Sequence, residues 1–244
     1  MSITDEKTIA EIVSTNIKAS HIFKKHGIDF CCGGGITVKK ACEKKGIEYS
    51  KVLEELRHFD APVVGDYDYN NWKLDALIEH IVAVHHLYVE ENIPLVLQYA
   101  EKVAKVHGHH YTETIEILNL FKIVAGDLSS HMKKEELILF PFIQKMVLAS
   151  ETGMPLEIPH FVEVANPIAM MEDEHETAGN LFKEIGRLTN NYTAPEGACN
   201  TFRALYDKLA EFEEDLHLHI HLENNILHPK ALELEKKLTR KSSH

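Results

Sequence analysis

The chain has 244 residues, 44% of them hydrophobic, with 12 Gly and 8 Pro, which suffices for one sizeable core and a small satellite domain. Its 38 acidic against 26 basic side chains give a formal charge of −12, the wrong sign for gripping a polyphosphate backbone, so nucleic acid is excluded as a partner class. Charge interrupts every apolar run, and the first residues carry acids and no continuous hydrophobic stretch; this excludes a membrane span and a signal peptide and predicts a cytoplasmic protein.

Apolar residues recur at steps of three and four almost throughout, and no run of alternating β-branched residues appears, so the fold class is all-α. Residues 1–60 read as a small domain of short helices. One ends near Gly27, a second is "TVKKACEKKG" closed by Gly46, and a third starts after Ser50 as its N-cap. The stretch 61–71, with Pro and Gly and no helical period, is predicted to be a linker. Residues 72–238 then divide into four long helices, roughly 72–105, 112–149, 166–190 and 198–238, whose short connections predict a four-helix bundle. Pro94, Pro141 and Pro229 fall inside three of them, where kinks are expected. Residues 239–244 complete the chain as a flexible tail.

Each helix has a countable inward stripe. The fourth reads Phe202, Leu205, Leu209, Phe212, Leu216, His219, Glu223, Ile226, with His217 and His221 turned away from it. The second reads Phe121, Val124, Leu128, His131, Glu135, Ile138, Phe142, Met146. The third gives Ile168, Met171, His175, Ala178, Phe182, Ile185, and the first Ile78, Val82, His86, Val89, Ile93, Leu97. His85 lies on a second, partly apolar stripe of the first helix. The chain also writes a matching phrase twice, "HMKKEELILFP" at 131–141 and "HIHLENNILHP" at 219–229.

A buried ionised carboxylate without a partner costs several kcal/mol, and two in one core would protonate instead. A bound dication removes that conflict. Helical positions i and i+4 share a face, so His131 with Glu135 and His219 with Glu223 each present an imidazole and a carboxylate together. Hydrogen bonding among the same side chains is the plainer alternative. Imidazole and carboxylate without thiolate suit iron or manganese, and six ligands with two carboxylates suit a pair of ions. Ferritin-like proteins use a different clamp, Glu with His three residues on.

These features resemble the haemerythrin-like di-iron proteins that repair iron centres, the ScdA-type family. The resemblance rests on "DFCCGGG" at 29–35, "SSHMKKEELILFP" at 129–141, "EDEHETAG" at 172–179 and "HIHLENNILHP" at 219–229. It implies two non-haem irons, carboxylate- and oxo-bridged, with His86, His131, His175 and His219 as terminal ligands and Glu135 and Glu223 as bridges. Oxygen-carrying haemerythrins use five histidines and an Asp from an HxxxxD spacing that this sequence lacks. Implied partners are damaged iron–sulfur proteins and the small ligands NO and O₂, with a homodimer raised by the resemblance alone.

Cys31 and Cys32 precede three glycines, a backbone that leaves thiols approachable; small buried residues at a helix end would look the same. Adjacent cysteines do not clamp a metal as CxxC does, and the resemblance implies thiol, iron or nitric oxide transfer at this pair. Cys42 and Cys199 are assigned to packing. The predicted function is repair of iron–sulfur clusters damaged by nitrosative or oxidative stress, by iron delivery or nitric oxide processing. A module that binds or senses O₂, NO or iron without turnover is the alternative.

Overall fold

The computed structural model describes residues 6–58, 68–156 and 159–242. It divides into two compact units, one of Met1–Ile78 with Leu218–His244 and the other of Glu79–His217. Among the described residues β structure is limited to an isolated antiparallel bridge between Thr8 and Thr37, and no helix is long and apolar enough to cross a membrane.

In the first unit, α1 (Ile9–Thr15) opens with a capping box. The Thr8 hydroxyl accepts from the Glu11 N–H while the Glu11 carboxylate accepts from the Thr8 N–H at 2.7 Å, so two otherwise orphaned donors are satisfied. Helix α2 (Ala19–Lys25) runs out beside Gly27 at φ 62°, and α3 (Val38–Lys45) is closed by Gly46 at φ 66°; both are left-handed positions that favour glycine. Helix α4 (Tyr49–His58) begins one residue before Ser50. Ser50 therefore lies in the first turn, its hydroxyl donating to Glu48 at 2.6 Å, and is not the N-cap. Of the predicted linker, residues 61–67 lie outside the described residues. A 3-10 turn follows at Tyr69–Asn71, and Lys230 donates to the carbonyls of Asn70 and Trp72.

Three of the four long helices are interrupted by π turns. In chain order they are α5 (Leu74–His80), π1 (Ile81–His86), α6 (Leu87–His107), α7 (Glu113–Lys134), π2 (Glu135–Leu139), α8 (Phe140–Thr152), α9 (Ala165–Leu188), α10 (Asn200–Leu222), π3 (Glu223–Leu227) and α11 (His228–Ser242). In the second unit four of them meet around Phe212 of α10. Tyr88 of α6, Phe121 of α7 and Phe182 of α9 lie with ring centroids 5.8, 5.4 and 5.6 Å from it, within the range of favourable aromatic pairing. The predicted four-helix bundle is therefore present. Helix α11 runs to Ser242, into the segment read as a tail.

The stripes of the third and fourth helices are buried at every position counted, but two others shift register. In the second, Ile138 is 39% exposed and Leu139 takes its place at 1%. The cause is π2, where the Phe140 N–H donates to the Glu135 carbonyl five residues back. One extra residue enters the turn, and the core-facing position moves on by one. In the first helix, π1 carries the Leu87 N–H to the Val82 carbonyl, Ile81 is buried in place of Val82, Val96 replaces Ile93 and Leu97, and His85 and His86 both turn inward. Pro141 and Pro229 follow π2 and π3 closely. A proline supplies no N–H to the carbonyl four residues back, so the irregularity precedes each proline, inside a π turn. Pro94 sits within α6.

His221, turned away from the inward stripe as predicted, is nevertheless fully buried within the first unit. Its Nε2 lies 3.1 Å from the Ser14 hydroxyl of α1 and its Nδ1 3.1 Å from the Asn225 amide. Burial pushes its pKa down to about 4. The unfolded imidazole takes a proton near pH 6.5 and the folded one only near 4, so the contribution is complete above pH 6.5 and is lost as pH falls towards 4. Replacing His221 by Gln should flatten this dependence, removing up to about 3 kcal/mol of the acid-induced loss between those limits, as measured by urea unfolding at pH 7 and 4.5. An unchanged pH slope would assign the acid sensitivity to other groups.

Candidate metal centre

Four of the six predicted ligands meet inside the second unit. His86 ends π1, His131 lies in the last turn of α7, Glu135 opens π2 and His175 lies midway along α9. All four are buried. Glu135 Oε2 is 3.3 Å from His86 Nε2, and Oε1 is 3.3 Å from His131 Nε2, so the two oxygens of one carboxylate face different imidazoles. His175 Nε2 is 2.9 Å from His131 Nε2. In the first unit, His219 Nε2 lies 3.1 Å from Glu223 Oε1, both fully enclosed.

Outer carboxylates set the orientation. His86 Nδ1 is 2.8 Å from Glu136 Oε1, and His131 Nδ1 is 2.8 Å from Glu174 Oε2. An ionised carboxylate only accepts, so each Nδ1 carries a proton, and Nε2 is the ring atom turned towards Glu135. Burial pushes the Glu174 carboxyl up, but hydrogen bonds from Lys134 and His131 outweigh it and hold Glu174 below the usual carboxylate range. It therefore stays an anion able to fix the imidazole. The Phe140 ring stacks on His86 at 5.7 Å between centroids.

Imidazole nitrogens and carboxylate oxygens converging in a buried interior form a donor set that a cation would draw together. His131, Glu135 and His175 offer ligand atoms within 4.8 Å of one another, as do His86 with Glu135, and His219 with Glu223. Two buried His and Glu groups able to hold an ion are present among the described residues. Their donors contain no sulfur, and the residues fit a non-haem metal pair.

The cysteine segment lies in the first unit. Cys31 is buried and Cys32 exposed, with their sulfurs 3.9 Å apart. A hydrogen bond with Cys32, burial and the nearby Asp29 charge hold the Cys31 thiol well above the ordinary thiol range. Cys42 is packed as predicted, whereas Cys199 is exposed with its sulfur 3.3 Å from His107 Nε2. Sequence reasoning missed the outer carboxylates Glu136 and Glu174, although each adjoins a predicted ligand. It also missed His85 Nδ1 against Asp215 at 2.9 Å; Asp215 stands four residues before His219, a spacing that could have drawn attention to it.

Helices that bring inward His and Glu donors together define the haemerythrin class of cation-binding bundle, and the sequence model of the Hemerythrin HHE cation binding domain matches residues 77–231. The ScdA_N model, described as a domain of unknown function, matches residues 5–60. The iron-sulfur cluster repair protein YtfE of Musicola paradisiaca (strain Ech703) is 37% identical over 227 residues, 93% of this chain and 96% of that protein. The YtfE proteins of Yersinia pseudotuberculosis serotype IB (strain PB1/+) and Yersinia pestis (strain Pestoides F) are each 37% identical over 215 residues, 88% of this chain and 91% of theirs. The chain belongs to this haemerythrin-like ScdA/YtfE family.

Removing an outer carboxylate tests the orientation described above. Glu136→Gln and Glu174→Gln should each weaken ferrous iron binding about 10–100-fold in a chelator competition while leaving the helical circular dichroism unchanged. Wild-type affinity in both variants would show that the imidazoles are held without them.

Proposed function

We propose that this protein repairs iron–sulfur clusters damaged by nitrosative or oxidative stress, through a carboxylate-bridged pair of non-haem irons. His86, His131, His175 and His219 would be the terminal ligands and Glu135 and Glu223 the bridges. The observation that carries the reading is Glu135, whose two oxygens face separate imidazole groups across 3.3 Å. One carboxylate shared between two ions has that disposition, and the similarity to the YtfE iron-sulfur cluster repair proteins supports the repair role.

When bound, the irons supply redox change and open positions for a small ligand such as NO or O₂. The protein's own residues do the rest. Glu136 and Glu174 accept from Nδ1 of His86 and His131, which orients the rings and leaves Nε2 of each as the atom a metal would take. Phe140, stacked on His86, helps keep water from the site. Cys31 and Cys32 would serve the transfer step, and the partners would be damaged iron–sulfur proteins in the cytoplasm.

To test this, iron-loaded protein is offered a nitrosylated cluster protein, and cluster recovery is followed optically. Glu135→Ala and Glu223→Ala should abolish recovery and lower the bound iron from two per chain. Recovery that does not depend on either glutamate overturns the proposal. Anaerobic NO uptake by the reduced wild type that yields no N₂O, together with no cluster recovery, would mark a binding module without turnover.

A further inference from the structure

The thiol pair supplies no ligand to the proposed di-iron centre and has a geometry of its own. We propose that Asp29, Cys31 and Cys32 form a second metal site, one that takes a thiophilic cation of the zinc class. All three residues lie in the first unit, and one ligand atom from each falls within 4.8 Å of the others. The Cys31 and Cys32 sulfurs are 3.9 Å apart, and Asp29 Oδ1 is 3.3 Å from the Cys31 sulfur. A tetrahedral cation at ~2.3 Å from two thiolates and ~2.0 Å from a carboxylate oxygen sets sulfur from sulfur at about 3.8 Å and oxygen from sulfur at about 3.5 Å. Both separations fall within a few tenths of an ångström of that tetrahedron, and the third, between Asp29 and the Cys32 sulfur, lies within 4.8 Å.

Adjacency gives two cysteines no reason to converge, and here the backbone is what turns them together. Asp29 Oδ1 accepts the N–H groups of both Cys31 and Cys32 at 3.0 Å. From π3, the Asn225 amide donates to the Cys31 carbonyl at 2.9 Å and to that of Phe30 at 3.4 Å. The glycines that follow make room. A Cβ on Gly33 would stand 3.3 Å from the Asp29 carboxylate, and one on Gly34 would meet the Phe30 carbonyl oxygen at 2.5 Å. None of Gly33, Gly34 and Gly35 has positive φ; close approach, rather than a left-handed turn, accounts for Gly33 and Gly34, while a Cβ at Gly35 would meet nothing within 4 Å.

Two sulfurs and one oxygen are a softer donor set than the imidazoles and carboxylates of the bundle, which favours zinc-like over harder cations. Binding releases both thiol protons to solvent and leaves the cation bonded to two thiolates and a carboxylate. Asp29 and Cys32 are exposed, so the fourth position opens to water and the cation can exchange. That is the character of a delivery or sensing site rather than a closed structural one.

The test is a Co²⁺ titration of the iron-loaded full-length protein in a phosphine-reduced buffer. Wild type should take up one extra Co²⁺ per chain with a near-ultraviolet thiolate-to-cobalt band, which stoichiometric Zn²⁺ abolishes. Cys32→Ser, at an exposed position, should remove the band while iron content and helical circular dichroism stay unchanged. Asp29→Asn keeps an oxygen for the two N–H groups and should weaken binding roughly tenfold or more through the lost charge. Cobalt uptake with no thiolate band, or a band that survives Cys32→Ser, overturns the proposal.

Discussion

Glu135 is completely enclosed, with an imidazole nitrogen 3.3 Å from each of its oxygens. Withdrawing such a carboxylate from water costs several kcal/mol unless positive charge is supplied beside it, by a protonated imidazole or by a bound cation. The surrounding architecture serves that condition. Each protonated Nδ1 is assigned to an outer carboxylate, Lys134 balances Glu174, and aromatic side chains from α6, α7, α9 and α10 meet at Phe212 in the same unit. Close packing of this kind resists the relaxation by which the polar groups could turn away.

Much of this was legible from periodicity. His175 and Glu135 could be placed because a step of three or four from an apolar neighbour lands on them, and the α9 stripe holds from Ile168 to Ile185. Counting fails after a change of helical pitch. Ile138 was assigned inward by steps that assume a regular turn, and π2 gives the position to Leu139. Nothing in the local composition marks a π turn except the proline that follows it, and a proline more readily suggests a kink.

Other features stayed hidden because they depend on distant residues. His221 is turned away from the inward stripe of its helix, yet Ser14, 207 positions earlier, lies against it. Asp29 reads as one more acidic loop residue until its oxygen is found holding two backbone N–H groups and approaching a sulfur. The fold of the first unit joins the two ends of the chain, and Asn225 beside the Cys31 carbonyl is where that closure reaches the cysteines.

A π turn is geometrically what remains when a single codon is inserted into a helix and the backbone absorbs it as a bulge instead of rotating everything downstream. Three such turns occur among the described residues, and His86, Glu135 and Glu223 each belong to one. Deleting one residue between 136 and 139 would thus restore an ordinary turn and keep the apolar face of α8 in place, while re-aiming Glu135 relative to the imidazoles it faces.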